Sequence, residues 1–161
     1  MHSTIFQITT QRISKDCFLN ENTLPQGDNS EFDYCREISE DERKTAINNL
    51  IETILPKGMF TLLNNDTIIY KGGAAEWKAK WVNRIQEKAN KITPENITDW
   101  IGASYQLEEE LKNPLGVGTR FYTEEHSFAS YADQSGDFMR IICGFKDGTK
   151  LYIGGIIDYH Y

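Results

Sequence analysis

The sequence predicts an α+β fold: a single globular domain over residues 1–161, with a largely antiparallel sheet packed with about three main helices. Three observations predict it. Strand and helix patterns come in blocks instead of alternating as a βαβ fold requires. Two turn-forming clusters, Asn64-Asn65-Asp66 and Asp147-Gly148, each separate two apolar runs, as in β-hairpins. Stretches opening near Ser39, Ala74 and Thr93 carry apolar residues at helical spacing.

Taken in order, STIFQIT alternates and reads as an opening strand. Residues 14–30 are polar and turn-rich and read as a long loop; such loops in compact domains are sometimes functional. EFDYCREI is a short strand. Ser39 and Glu42 form a capping box, each side chain reaching the other's free backbone N–H, and the stripe Ile47, Leu50, Ile51, Ile54, Leu55 follows before Pro56 and Gly58 stop the helix. MFTLLNNDTIIYKGG reads as a hairpin. The second helix, residues 74–91, carries Trp77, Trp81 and Ile85 on one face. Thr93 caps a third helix with Pro94 at its first position, and Ile97, Trp100, Ile101, Ser104, Leu107 and Leu111 form its stripe. GTRFYT is a short strand, and SFASYADQS a short helix.

The last hairpin has a definite register if Asp147-Gly148 is its loop. Cys143 then faces Tyr152, Arg140 faces Gly155 and Asp137 faces Asp158, with Ile153 and Ile157 on one sheet face. This register separates Cys143 from His160 by roughly 26 Å, at about 3.3 Å per strand residue, which excludes a thiol–imidazole pair. Cys143 reads as a small buried hydrophobe. Asp158 and His160 project to the same side, and a D-x-H pair with Asp137 offers metal-ligand geometry, but we read DYHY as a polar strand end in solvent and expect no metal site. The pair Gly154-Gly155 marks a bulge or a close approach; in this register Gly155 makes room for Arg140, or forms the floor of a ligand site.

The net charge of −7 favours solubility and disfavours nucleic-acid and anionic-membrane binding. The local exception is residues 67–92, net +4 between flanks of −5 and −6. Lys78, Lys80, Arg84, Lys88 and Lys91 beside the tryptophans offer a nucleic-acid surface; the competing reading, which we adopt, puts the tryptophans in the core and the basic helix against the acidic remainder of the chain. Cys17, Cys35 and Cys143 form no C-x-x-C motif, which removes support for zinc ribbons and redox motifs and suits a reducing compartment. The opening MHSTIFQITTQR lacks the features of a secretory signal, and no apolar run approaches the roughly 20 residues of a membrane span, so a cytoplasmic location is expected.

Gly72 and Gly73 lie between a strand and a helix, where exposed N–H groups attract anions, but neither G-x-G-x-x-G nor G-x-x-x-x-G-K-[ST] is present, so no cofactor is expected. YTEEHSF groups Glu124, Glu125, His126 and Ser127, which are acid–base parts that extended backbone mostly points apart. Glu108, Glu109 and Glu110 read as the solvated face of the third helix. The leading expectation is a non-enzymatic protein-binding or regulatory domain, of the inhibitor or immunity type, for a basic protein partner. The alternatives are an enzyme or small-ligand-binding domain using Glu124, His126, Asp158 and His160, with Gly72, Gly73, Arg140 and Gly155 as ligand contacts, and nucleic-acid binding through residues 74–91.

Overall fold

The computed structural model of the chain describes residues 2–124 and 132–161. Among these, six strands form one sheet: β1 (His2–Thr9), β2 (Tyr34–Glu37), β3 (Phe60–Leu62), β4 (Thr67–Tyr70), β5 (Arg120–Tyr122) and β6 (Lys150–His160). Four α-helices accompany it: α1 (Glu40–Asn49), α2 (Ala74–Ala89), α3 (Ala103–Lys112) and α4 (Ser135–Ile142). The strand order is β3-β4-β6-β1-β5, and β2 also pairs with β6. Among the described strand pairs, β1–β5 is parallel and the others are antiparallel. No described helix is long and apolar enough to cross a membrane.

The capping box forms as the sequence predicts, with Ser39 N–H donating to Glu42 Oε2 at 2.7 Å and Glu42 N–H donating to Ser39 Oγ at 3.3 Å. The helix then widens into a π turn over Leu50–Ile54 before Pro56. The β3–β4 hairpin forms about Asn64-Asn65-Asp66. Trp77 and Trp81 are buried on the sheet side of α2, their rings 5.0 Å apart.

The last hairpin does not form. Residues 137–142 belong to α4, so Arg140 does not face Gly155 and Asp137 does not face Asp158. The reason is one of occupancy: β1 pairs along one flank of β6 from His160 to Tyr152, while β2 and β4 hold the other flank. No flank is left for a hairpin partner. Phe138, Met139 and Ile142 instead bury one side of a short helix, and Phe138 stacks on Phe121 at 3.9 Å. Asp147-Gly148 still turns the chain, with Gly148 at φ 87°. A short apolar run fits both a buried strand and a buried helix turn, which is why periodicity misassigned it.

The glycine pair makes a bulge. Phe6 pairs with Ile156 but Ile8 pairs with Ile153, so Gly154 and Gly155 together oppose Gln7. The extra residue reverses the alternation along β6. Leu151, Ile153 and Ile156 therefore join the core beneath the helices, whereas Ile157 and Tyr159 join a second cluster with Ile5, Cys35 and Tyr122. That cluster is closed by Leu19, Leu24 and Phe32, so the long polar loop covers the second face of the sheet.

The third helix starts at Ala103, well after Thr93. Asn96 takes over the backbone there: its Oδ1 accepts the Thr93 N–H at 2.9 Å and its Nδ2 donates to Lys91 O at 2.8 Å, which fixes a turn. Ile97, Trp100 and Ile101, placed on a buried stripe by the sequence pattern, are instead 52%, 96% and 86% exposed.

Candidate functional site

Three surfaces concentrate the chemistry. The first is the end of the sheet, where strand pairing aligns His2, His160 and Tyr34 on neighbouring strands. The His2 and His160 rings are 5.3 Å apart and Tyr34 stacks on His160 at 5.8 Å. Each imidazole meets a carboxylate: His160 Nδ1 lies 2.8 Å from Asp33 Oδ2, and His2 Nδ1 lies 3.3 Å from Asp158 Oδ2. Arg36 joins Asp158 to Glu42, at 3.3 and 3.2 Å. Asp158 and His160 are therefore brought into one cluster, though with Asp33 and His2 in place of Asp137. Imidazole–carboxylate pairs have the parts for proton transfer. The cluster is open to water, however, with the His2 side chain 59% exposed. Among the described residues no group of three or more His, Cys, Asp or Glu is arranged to hold a metal ion.

The second surface is a cleft of about 560 Å³ on the β2/β4 flank of β6. Gly155 and Ile156 line it, with Lys15, Phe18 and Asn20 from the long loop, Glu37, Glu40 and Arg43 around the start of α1, and Asn65 and Asp66 from the β3–β4 turn. Between the stretches of β6 that pair with β4 and β2, Arg43 substitutes for a strand: its Nη1 and Nη2 donate to Gly154 O at 2.6 Å and Ile153 O at 2.9 Å. Burial holds the Arg43 pKa below its ordinary value, while Glu40 and Asp66 pull the other way from a distance. Gly155 is indeed a place of close approach, but to the main chain of Leu19, not to Arg140.

The third surface is the α2–α3 connection, with Ile97, Trp100 and Ile101 in solvent and Tyr105 46% exposed beyond them. Glu95 and Asp99 are interleaved with these residues.

The remaining candidates have structural employment. Glu124 caps the end of β1, accepting from Thr10 N–H at 2.7 Å, Gln11 N–H at 2.9 Å and the Thr10 hydroxyl. His126, Glu125 and Ser127 lie outside the described residues, as does the short helix expected there. Gly72 and Gly73 both have positive φ, and the Asp147 carboxylate stands 2.6 Å from where a Gly72 Cβ would be, so the anion beside this turn is the protein's own. Arg140 pairs with Asp137 at 2.6 Å and lies over the Trp81 ring. Burial pushes the Cys143 pKa up, the opposite of what a nucleophile needs.

On α2, Lys80 pairs with Glu76, and Arg84 and Lys88 both reach Glu110 at 2.8 Å. Glu110 is buried, contrary to the solvated position its sequence context predicts, and its carbonyl also accepts from Trp81 Nε1 at 3.0 Å. The tryptophans thus face the core, and part of the basic face is neutralised within the chain. Sequence reasoning missed Arg43, Gln7, Asp33 and His2, because each acts through strand pairings or a bulge with no local signature. No protein-family model, no curated protein and no solved structure matches this chain.

Proposed function

We propose that this protein is a protein-binding domain of regulatory or inhibitor type that engages a basic partner through Trp100, Ile101 and Ile97. The observation that carries the reading is Trp100, whose surface is 96% exposed beside an Ile101 that is 86% exposed. Leaving large apolar side chains in water forgoes roughly 1.5–3 kcal/mol each, a cost that burial against a partner recovers. Tryptophan is also the residue type most enriched among interface hot spots. Glu95 and Asp99 place negative charge beside the apolar surface, which complements a basic rim on the partner and fits the net charge of −7. Three free cysteines support a reducing, cytoplasmic setting.

The test is affinity capture from host extract, followed by titration of the purified captured protein. Trp100→Ala should weaken that binding by about thirtyfold or more, the hot-spot range, while Lys57→Ala on another surface leaves it unchanged. Added salt should weaken it further. A captured protein that binds Trp100→Ala as tightly as wild type would refute the proposal, as would the absence of any saturable partner.

The competing reading, an enzyme or small-ligand domain at Asp158 and His160, draws its support from the two imidazole–carboxylate pairs. Its test is turnover that His160→Gln abolishes and Trp100→Ala does not.

A further inference from the structure

The cleft beside Gly155 has the size of a small-molecule site, which typically spans about 300–1,000 Å³. Its charges are unusual in being left unmatched. Arg43 is half-buried, yet among the described residues its guanidinium bonds two main-chain carbonyls alone and lies 5.8 Å from the Phe18 ring centroid. Among the described residues no carboxylate stands within ion-pair distance of Arg43 or of Lys15. Glu37 and Glu40 also line the cleft without an ion-pair partner among the described residues, whereas Asp66 is engaged by Arg12 at 3.0 Å. A cation partly withdrawn from water favours a counter-charge, and adjacent unmatched charges of both signs across a cavity complement a ligand carrying both.

The balance of signs narrows the ligand. The lining holds two cations against four carboxylates, Asp16, Glu37, Glu40 and Asp66, within a protein of net charge −7. A simple anion is repelled by that field. A ligand with one carboxylate and more than one cationic group satisfies both features. We infer that this cleft binds a basic amino acid, its carboxylate turned to Arg43 and Lys15 and its cationic groups to Glu37 and Glu40. This goes beyond the protein-binding reading and shares no residue with it.

The test is an NMR titration of the full chain, following the amides of residues 15–20, Arg43, Asn65 and Gly155, with calorimetry alongside. L-lysine and L-arginine should shift these amides saturably, with a Kd of about 1 mM or tighter, as expected of so small a ligand. L-glutamate should not bind, and 1,5-diaminopentane, which lacks the carboxylate, should bind about tenfold more weakly than lysine. Glu37→Gln and Glu40→Gln, both at exposed positions, should each weaken lysine binding by about tenfold, with at most a small shift of the urea midpoint for Glu40→Gln because that residue opens α1. Lys15→Ala tests the carboxylate arm without disturbing the sheet, which Arg43 helps to hold. The inference fails if neither basic amino acid shifts these amides, if the shifts scatter over the acidic surface, or if diaminopentane binds as well as lysine. None of these outcomes bears on Trp100.

Discussion

Gln7 and Gly155 share a hydrogen bond that ties the long loop to the sheet. The Gln7 Oε1 accepts the Gly155 N–H at 2.8 Å and the Leu19 N–H at 2.8 Å, while its Nε2 donates to Cys17 O at 3.2 Å. The bulge frees the Gly155 N–H from the β1–β6 ladder, and the amide that meets it is 7% exposed. One buried side chain thus satisfies two buried N–H groups that strand pairing leaves free, and it also holds the half-buried Cys17 carbonyl. It also fixes Leu19 over the second core, and it sets the loop that carries Lys15 and Phe18 beside the cleft.

Gly155→Ala should destabilise the fold by about 1–3 kcal/mol, the range for overpacking a filled site. The added Cβ would overlap the main chain of Leu19, which cannot rotate aside as a side chain does. The loop must lift, exposing Leu19 and Leu24, each 3% exposed in the native fold. Urea denaturation reads the loss, and hydrogen exchange should localise it to residues 17–24. Equal stability of mutant and wild type would show that the loop packs elsewhere.

Gln7→Leu should cost a similar amount by the opposite route. It leaves the N–H groups of Leu19 and Gly155 buried without an acceptor, at about 1–3 kcal/mol for each unsatisfied group. Faster exchange of both amides, together with a lower denaturation midpoint, is the expected result.

How far the sequence could have revealed this depends on the range of each interaction. The Ser39–Glu42 box and the Asn64–Asp66 turn use neighbours in the chain, so their residue types announce them. The pair Gly154-Gly155 signalled a bulge or close approach but not the Gln7 amide that fills it, because β1 is far away in sequence. Alternation then misassigned Ile157, since a bulge reverses the phase of a strand. Residues 137–142 failed because an apolar run carries no record of how many flanks its neighbour has left. Trp100 failed because a helical stripe was extended through Asn96, whose side chain competes for the backbone. The same failure hid the surface now proposed to bind.

The Glu110 carboxylate should matter more than its acidic neighbours. Its side chain is 7% exposed and receives Arg84 Nε and Lys88 Nζ at 2.8 Å each, whereas those cations are themselves 38% and 32% exposed. Glu110→Gln leaves two partly buried cations without their anion. We expect about 2 kcal/mol, below the 3–5 kcal/mol of a fully buried pair because solvent reaches the cations. Glu109→Gln is the control and should change stability by less than about 0.5 kcal/mol. Equal, small effects of both substitutions would remove the special role of Glu110.

Acid should weaken the start of α1 in a defined window. The Ser39 backbone N–H, the Arg36 guanidinium and the Ser39 hydroxyl hold the Glu42 carboxyl at about 2, against an ordinary 4.5. A carboxyl depressed by folding binds its proton less readily in the folded state than in the unfolded one. Its contribution is therefore complete above about pH 4.5 and is lost as the pH falls through about 2. The difference in urea midpoint between wild type and Glu42→Gln should be largest near neutrality and should vanish at the acid end of that range. A difference independent of pH would assign the effect to packing.

The two tryptophans Trp81 and Trp100 should respond oppositely to the same substitution. Trp81 is 9% exposed, packs on Trp77 and donates to Glu110 O, so Trp81→Ala should cost about 3–5 kcal/mol through lost transfer energy and a cavity. That is a large share of the roughly 5–15 kcal/mol that stabilises an ordinary domain. Trp100 has almost no contact to lose, so Trp100→Ala should leave the midpoint within about 0.5 kcal/mol of wild type. Urea melts of both variants separate the two roles, and a titration against a labelled single-stranded oligonucleotide adds a third axis. If α2 were a nucleic-acid platform, Trp81→Ala would keep its stability and lose about 1–3 kcal/mol of salt-sensitive binding per stacked base. A destabilised Trp81→Ala that never bound the oligonucleotide, beside a stable Trp100→Ala that has lost a protein partner, places the core at one ring and the interface at the other.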